Sequence, residues 1–303
     1  MSDTSSRKPI VVGVDGSKHA IRAAVWASTE AVDRDAPLQL VYVIDAAVED
    51  LDAALDDARL ALDEAWTTVE ETLVPVELGS DILRGDAASA LIEASRDAQL
   101  VCLGARGRHD GAPGHRGATA ATIAESAFCP VAIIRRRHAH QQLPGDRWIV
   151  AILDEAPVSH GVLQTALDEG RRRDAPVLAL TSWPARVPQD RGTDEDRELR
   201  EKLDRYLQDT DDDEADVRVC VLPLPPNVTD TLAKTADLDQ LVIVGQDNPD
   251  LIAALVGAEA RDLLKRTNCS VMVFRELQAR VQPTTDVIAS IATHDKTTAV
   301  VMQ

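Results

Sequence analysis

Three separated segments of this chain recur at almost one spacing. Arg34-Asp-Ala-Pro37 returns as Arg173-Asp-Ala-Pro176, Gln99-Leu-Val-Cys-Leu-Gly104 as Gln240-Leu-Val-Ile-Val-Gly245, and Cys129-Pro-Val-Ala-Ile-Ile-Arg135 as Cys269-Ser-Val-Met-Val-Phe-Arg275. The offsets are 139, 141 and 140 residues. Matches kept nearly in register at three places mark a duplication, so whatever one copy folds into, the chain must fold twice. With 303 residues in all, each copy has the size of an ordinary domain. The expected division is residues 1–142, residues 143–276 and a tail, 277–303, outside both repeats. Arg137 to Asp146, with Pro144-Gly145, reads as the linker.

Each copy alternates short apolar runs with amphipathic stretches. In the first copy the runs are Ile10–Val14, Leu38–Ile44, Val74–Leu83, Leu100–Leu103 and Val131–Ile134; helical patterns fall near 18–33, 50–72, 86–97 and 117–127. Short runs rich in Val, Ile and Leu suit strands covered on both faces. Their alternation with helices implies right-handed crossovers and a parallel sheet. The fold class expected is α/β: two tandem Rossmann-like domains, each a five-stranded parallel sheet flanked by helices. In such sheets ligands bind beyond the carboxyl ends of the strands, where the strand order reverses.

One stretch of the first copy stands out chemically. Gly104 to Gly117 holds five glycines and lies between the run Leu100–Leu103 and the helical pattern from Ala118. Glycines permit positive φ and close backbone approach, and free N–H groups at the following helix start attract anions. The loop carries Arg106, Arg108, Arg116, His109 and His115 against one acid, Asp110, in a chain of net charge −19. A basic, glycine-rich loop on an acidic protein predicts a small anionic ligand. The second element is Val14-Asp15-Gly16-Ser17, at the end of the first strand. Asp15 there can receive ribose hydroxyls or hold Mg²⁺ beside phosphates; Asp15 or Ser17 can equally cap the helix from Lys18. Neither GxxxxGK[ST] nor GxGxxG occurs, nor a GxSxG elbow.

The acidic balance argues against nucleic acid and anionic membrane surfaces, which call for basic protein. Four cysteines without CxxC spacing (Cys102, Cys129, Cys220 and Cys269) read as reduced thiols inside or at the start of apolar runs. Met1 to Lys8 is polar, and no apolar run approaches a membrane span, so a cytoplasmic location is expected. His138 and His140, and the acidic run Asp209–Glu214, read as solvated surface.

These residues resemble the universal stress protein family in its tandem two-domain form, over residues 9 to about 276. The resemblance rests on Gly13-Val-Asp-Gly-Ser17, the Gly85-Asp86 turn, the Cys129-Pro-Val-Ala-Ile-Ile134 strand and, most specifically, G-x2-G-x9-G at Gly104, Gly107 and Gly117. It implies an adenine-nucleotide α-hydrolase-like fold binding ATP, or ADP, AMP or a cyclic nucleotide, with Mg²⁺ reached indirectly through Asp15. It implies that the nucleoside meets Asp15 and the backbone near Tyr42 and Val43. The phosphates would lie along Gly104, Ala105, Arg106, Gly107, Arg108, Arg116, Gly117, Ala118 and Thr119. It also implies pairing of Val131–Ile134 with Val271–Phe274 in a pseudo-dimer, further homo-oligomers, and a regulatory protein partner. One position departs from the pattern: Ala118 stands where ATP-binding members carry Ser or Thr, and a lost hydrogen bond to a charged group costs roughly 1.5–3 kcal/mol.

The second copy departs further. Asp154 matches Asp15, but Glu155-Ala156 replaces Gly16-Ser17. Gly245 is followed by Gln-Asp-Asn248-Pro249, Gly257 by Ala258, and Pro223-Leu-Pro-Pro226 replaces the Gly85-Asp86 turn. The extra carboxylates Glu155 and Asp247 predict a second site that repels phosphates. The function expected is a nucleotide-binding regulatory protein of the stress response, the ligand in the first copy and the second copy structural or protein-binding. Two alternatives stand beside it: a weak Mg²⁺-dependent ATPase, and a protein-binding module whose sites have both decayed.

Overall fold

In a computed structural model of the chain, residues 7–108, 118–135, 147–154, 158–182, 201, 217–235 and 238–276 are described. The expected runs Asp209–Glu214 and 277–303, the His138/His140 pair and the linker's interior lie outside them. The first half contains β1 (Ile10–Val14), α1 (Lys18–Asp33), β2 (Leu38–Ile44), α2 (Leu51–Glu71), β3 (Leu78–Arg84), α3 (Ala87–Ala94), β4 (Leu100–Gly104), α4 (Ala118–Ser126) and β5 (Val131–Ile134). The second contains β6 (Arg147–Leu153), α5 (Ser159–Arg173), β7 (Val177–Thr181), β8 (Val219–Pro223), α6 (Val228–Lys234), β9 (Asp239–Gly245), α7 (Pro249–Val256), α8 (Ala258–Leu263) and β10 (Asn268–Phe274).

The helix starts are written in their caps. Ser17, Asp50, Asp86, Asn227 and Asn248 each accept an N–H of the first turn on a side-chain oxygen. The helix ends repeat as well: Asp35 and Asp174, one position past the matching Arg34 and Arg173, both turn the chain at φ 48°. Asp is among the few non-glycine residues that take this conformation readily.

The strands form one ten-stranded sheet in the order β3-β2-β1-β4-β5-β10-β9-β6-β7-β8. Within each half every pair is parallel; the halves join antiparallel, Val271 opposite Ile133 and Val273 opposite Val131. This is the pairing the family resemblance implied. Helices cover both faces, and the two apolar layers each run through the join. One layer packs α1, α2 and α5 through Trp26, Leu62 and Leu163; the other packs α3, α4 and α6 to α8 through Leu91, Ile123, Leu232 and Leu255. Burial on both faces explains the unbroken apolar runs.

One expected strand is displaced. Val74–Leu83 begins at Leu78 instead, because Leu73 turns at φ 57° and Pro75 has no N–H for a ladder. Cys102, Cys129 and Cys269 are buried as expected, and burial pushes their thiols up, to about 12 for Cys129 and about 11 for Cys269. Cys220 is only half-buried. Among the described residues no helix is long and apolar enough to cross a membrane.

Candidate functional site

The strand order reverses between β1 and β4, because β1 leads outward to β2 while the return from β3 lands on β1's other side. The carboxyl ends of these two strands therefore form the crevice where an α/β sheet takes its ligand. Asp15 follows β1 there, and Gly104 ends β4. Their neighbours are tied together. Asp15 Oδ1 accepts the Ser17 N–H at 3.0 Å, and Oδ2 accepts the Arg108 N–H at 2.7 Å. Ser17 Oγ donates to the Arg106 carbonyl at 3.2 Å while accepting the Ala20 N–H at 3.1 Å. The capping role expected of this stretch is present. Ser17 caps α1, and Asp15 fastens the start of the glycine loop.

The glycines here are required. Gly16 sits at φ 75°. A Cβ at Gly107 would lie 2.9 Å from Asp15 Oδ2, and one at Gly104 would lie 2.6 Å from the His19 carbonyl carbon. A side chain at Gly107 would push the loop off Asp15, and one at Gly104 would push β4 off the start of α1. The far wall is α2, whose Asp57 faces the Arg108 guanidinium at 3.8 Å, an exposed pair of little energetic weight. Tyr42 pairs with Val14 in register, which sets the β2 end, Tyr42-Val43, beside Asp15.

One of the expected residues is engaged away from the crevice. Arg106 turns away from Asp15 and across to the second half, where Nη2 donates to the Arg261 carbonyl at 3.3 Å and lies 3.7 Å from Asp262. Thr119 stands exposed on the first turn of α4. Arg116 and Gly117, with His109 to His115, lie outside the described residues, as does the side chain of Ala118. Asp15's two oxygens each accept an amide N–H, which fixes the start of the loop to the end of β1. Among the described residues no three His, Cys, Asp or Glu side chains gather as a metal site.

The equivalent crevice of the second half is closed by its own side chains. By the repeat, residues 246–257 stand where the first half has 105–117, and α7 begins there after only Gln246 to Asn248. Asn248 Nδ2 donates to Asp154 Oδ2 at 3.2 Å, and its Oδ1 caps α7 at the Leu251 N–H. Asp154 Oδ1 accepts the Ser159 hydroxyl at 2.9 Å. Val158 stands over Gly245, 2.4 Å from where a Cβ would be.

Two buried charge clusters at the join escaped the sequence reading. On the α1/α5 face, Glu30 and Glu169 are fully enclosed with Arg34, Arg172 and Arg173. Arg34 bonds both Glu30 and Glu169, each at 3.0 Å, and Arg173 likewise holds both. Three arginines hold the Glu169 carboxyl below its ordinary range against its burial; at Glu30, burial prevails and pushes the carboxyl up. The signal was present: Glu30 and Glu169 stand four residues before the repeated Arg34 and Arg173. The second cluster, on the opposite face, surrounds Arg135.

A universal stress protein family model matches residues 6–135 and 147–275. A universal stress protein of Mycobacterium tuberculosis (strain ATCC 25618 / H37Rv) is 36% identical over 275 residues, covering 88% of this chain and 96% of that protein. Another from the same strain is 36% identical over 283 residues, covering 88% and 97%. Among solved structures, a universal stress protein from Archaeoglobus fulgidus DSM 4304 superposes with a TM-score of 0.63 at 14% identity, covering 88% of this chain and 96% of that one. That last likeness speaks to the fold.

Proposed function

The chain belongs to the universal stress protein family, and from that premise we propose that its first half binds an adenine nucleotide as the signal of a stress-response protein. ATP is the foremost ligand, with ADP, AMP or a cyclic nucleotide taking the same nucleoside contacts. The observation that carries this reading is the fastening of the loop's start to Asp15 at the reversal point, with Gly104 and Gly107 at positions where no side chain fits. A glycine-rich loop fastened at its start can offer backbone amides to a phosphate chain, and α4 would add the N–H groups of its first turn.

In this reading Asp15, at its remaining lone pairs, and the β2 end near Tyr42 and Val43 receive the nucleoside. Gly104, Ala105, Gly107, Arg108, Arg116 and Gly117 accommodate the phosphates. Bound ATP would bring phosphates that hold Mg²⁺ themselves, leaving Asp15 to orient the sugar. Arg106 takes no part in holding the nucleotide's phosphates, since it is directed to the join. The second half takes no nucleotide: Asp154 is satisfied by Ser159 and Asn248, and its role is structural or as a surface for a regulatory protein.

The test is a titration of the full chain with fluorescent ATP. Asp15→Ala and Gly107→Val should each weaken binding by at least tenfold, the latter by driving a side chain into the Asp15 carboxylate. Asp154→Asn should leave affinity within about twofold. Binding lost in Asp154→Asn and kept in Asp15→Ala would place the ligand in the wrong half and end this reading.

A further inference from the structure

Between the two halves, on the face carrying α4 and α8, lies a cavity lined by His19, Arg106, Arg135, Arg261 and Lys265 over Leu264. About 30 Å³ of it is open to the centres of water molecules, roughly twice what one water requires. Oxygens are water-sized, so the cavity has room for the oxygens of one compact oxyanion. Arg135 follows β5 and is 5% exposed. Its Nη2 donates to the Leu255 carbonyl at 2.7 Å and its Nη1 to the Cys269 carbonyl at 3.4 Å, while Nε finds no partner among the described residues. None of its bonded partners is a carboxylate. Asp262, beside Arg106, is 82% exposed. Buried arginine without an anion is costly, because helix carbonyls supply only partial charge.

The duplication provides an internal control. By the repeat offsets, Arg106, Arg135, Arg261 and Lys265 correspond to Asp247, Arg275, Ala121 and Glu125. At that end of the join Arg275 donates to the Glu125 carbonyl at 2.8 Å, and the Asp247 carboxylate acts on it favourably. One end thus gathers four cations around a cavity, in a chain of net charge −19; the equivalent end has one cation and two acids. Packing alone gives no reason for three of the four positions to differ in charge in the same direction.

We infer that the cavity is a binding site for one small tetrahedral oxyanion, free phosphate in chemical class, held by Arg106, Arg135, Arg261 and Lys265 across the two halves. The ion completes the charge of the join and clamps the halves together. The inference does not rest on the nucleotide reading, because Arg106 faces the join whether or not the Asp15 crevice is filled.

The experiment is calorimetric titration of the full chain with inorganic phosphate at constant ionic strength in chloride, paired with thermal unfolding. One equivalent of phosphate is expected, with a rise in the unfolding temperature that chloride does not reproduce. Arg135→Met should weaken phosphate binding by at least tenfold, the scale of a lost charged hydrogen bond. Lys265→Glu should do the same from an exposed position that leaves the core intact, so a folding defect in the first variant leaves the question decidable. Saturating ATP should leave the phosphate affinity unchanged. Two equivalents of phosphate, full affinity in both variants, or displacement of phosphate by ATP would each overturn the assignment, the last by giving the arginines to a nucleotide tail.

Discussion

The two charged clusters at the join were made by one duplication and went opposite ways. On the α1/α5 face each glutamate contacts the arginines of both copies, so Glu30 with Arg34 and Glu169 with Arg173 lie astride the pseudo-twofold axis. A residue on such an axis meets its own counterpart. A change in either copy unbalances the whole group, and the glutamates and the arginines four residues after them have stayed alike, only the rim position Arg172 differing from its counterpart Asp33. The Arg135 cavity lies off the axis and has a separate mate around Arg275. Each could drift alone, one to four cations, the other to two acids and one cation. The strand-end crevices at Asp15 and Asp154 are off-axis too, and they also diverged. Distance from the axis, more than burial, separates what the two copies share from what they do not.

The comparison can be broken at its strongest point first. Glu169→Ala strips Arg34, Arg172 and Arg173 of a carboxylate none of them can replace from solvent. A loss of about 3–5 kcal/mol in denaturant unfolding is expected, as for one partner removed from a buried pair. A loss under about 1 kcal/mol would show the cluster to be incidental. Next comes Ala118→Ser, which restores the hydroxyl of the family pattern to the first-half loop. It should tighten ATP binding by about tenfold or more, the equivalent of roughly 1.5–3 kcal/mol, in an equilibrium titration. An unchanged affinity would mean that the loop does not face phosphate.

Third, Arg135→Met in phosphate-free buffer should change stability by less than about 1.5 kcal/mol, since the lost hydrogen bonds are offset by relief of an uncompensated buried charge. If it destabilised the protein as much as Glu169→Ala, the two clusters would be energetically alike and the contrast would fail. The smallest effect concerns the equivalent caps Asp86 and Asn227. Hydrogen bonds from the Ser89 N–H and hydroxyl hold the Asp86 carboxyl below its ordinary 3.8. A carboxyl lowered on folding adds stability that is present above its unfolded value and lost as pH falls through its folded one. Asp86→Asn should therefore be neutral within about 0.5 kcal/mol near pH 7. It should also flatten the last part of the acid unfolding curve, below 3.8, read by circular dichroism.

The repeats foretold the fold because they fall on the parts that build the sheet. Gln99–Gly104 is β4, Cys129–Arg135 is β5 with its cavity arginine, and their copies are β9 and β10. The candidate crevice was legible where backbone chemistry sets it: Asp15 at a strand end, Gly107 against its carboxylate and Gly104 against the start of α1. Side-chain direction was another matter. Arg106 reads as a phosphate ligand by its place in a basic loop, yet its acceptor is a carbonyl 155 residues away. Nothing local marks that distance. Glu30, inside an amphipathic helix, reads as a solvated residue, and only the facing copy of the same helix makes it a core residue.

The antiparallel meeting of β5 with β10 has a consequence for abundance. Two separate copies joined through that edge would fall apart as the cell dilutes them. A covalent connection replaces that encounter with an intramolecular one, at an effective concentration independent of how much protein is present. The joined form is therefore independent of how many molecules are present, and a single chain at the lowest level of expression already carries its complete join.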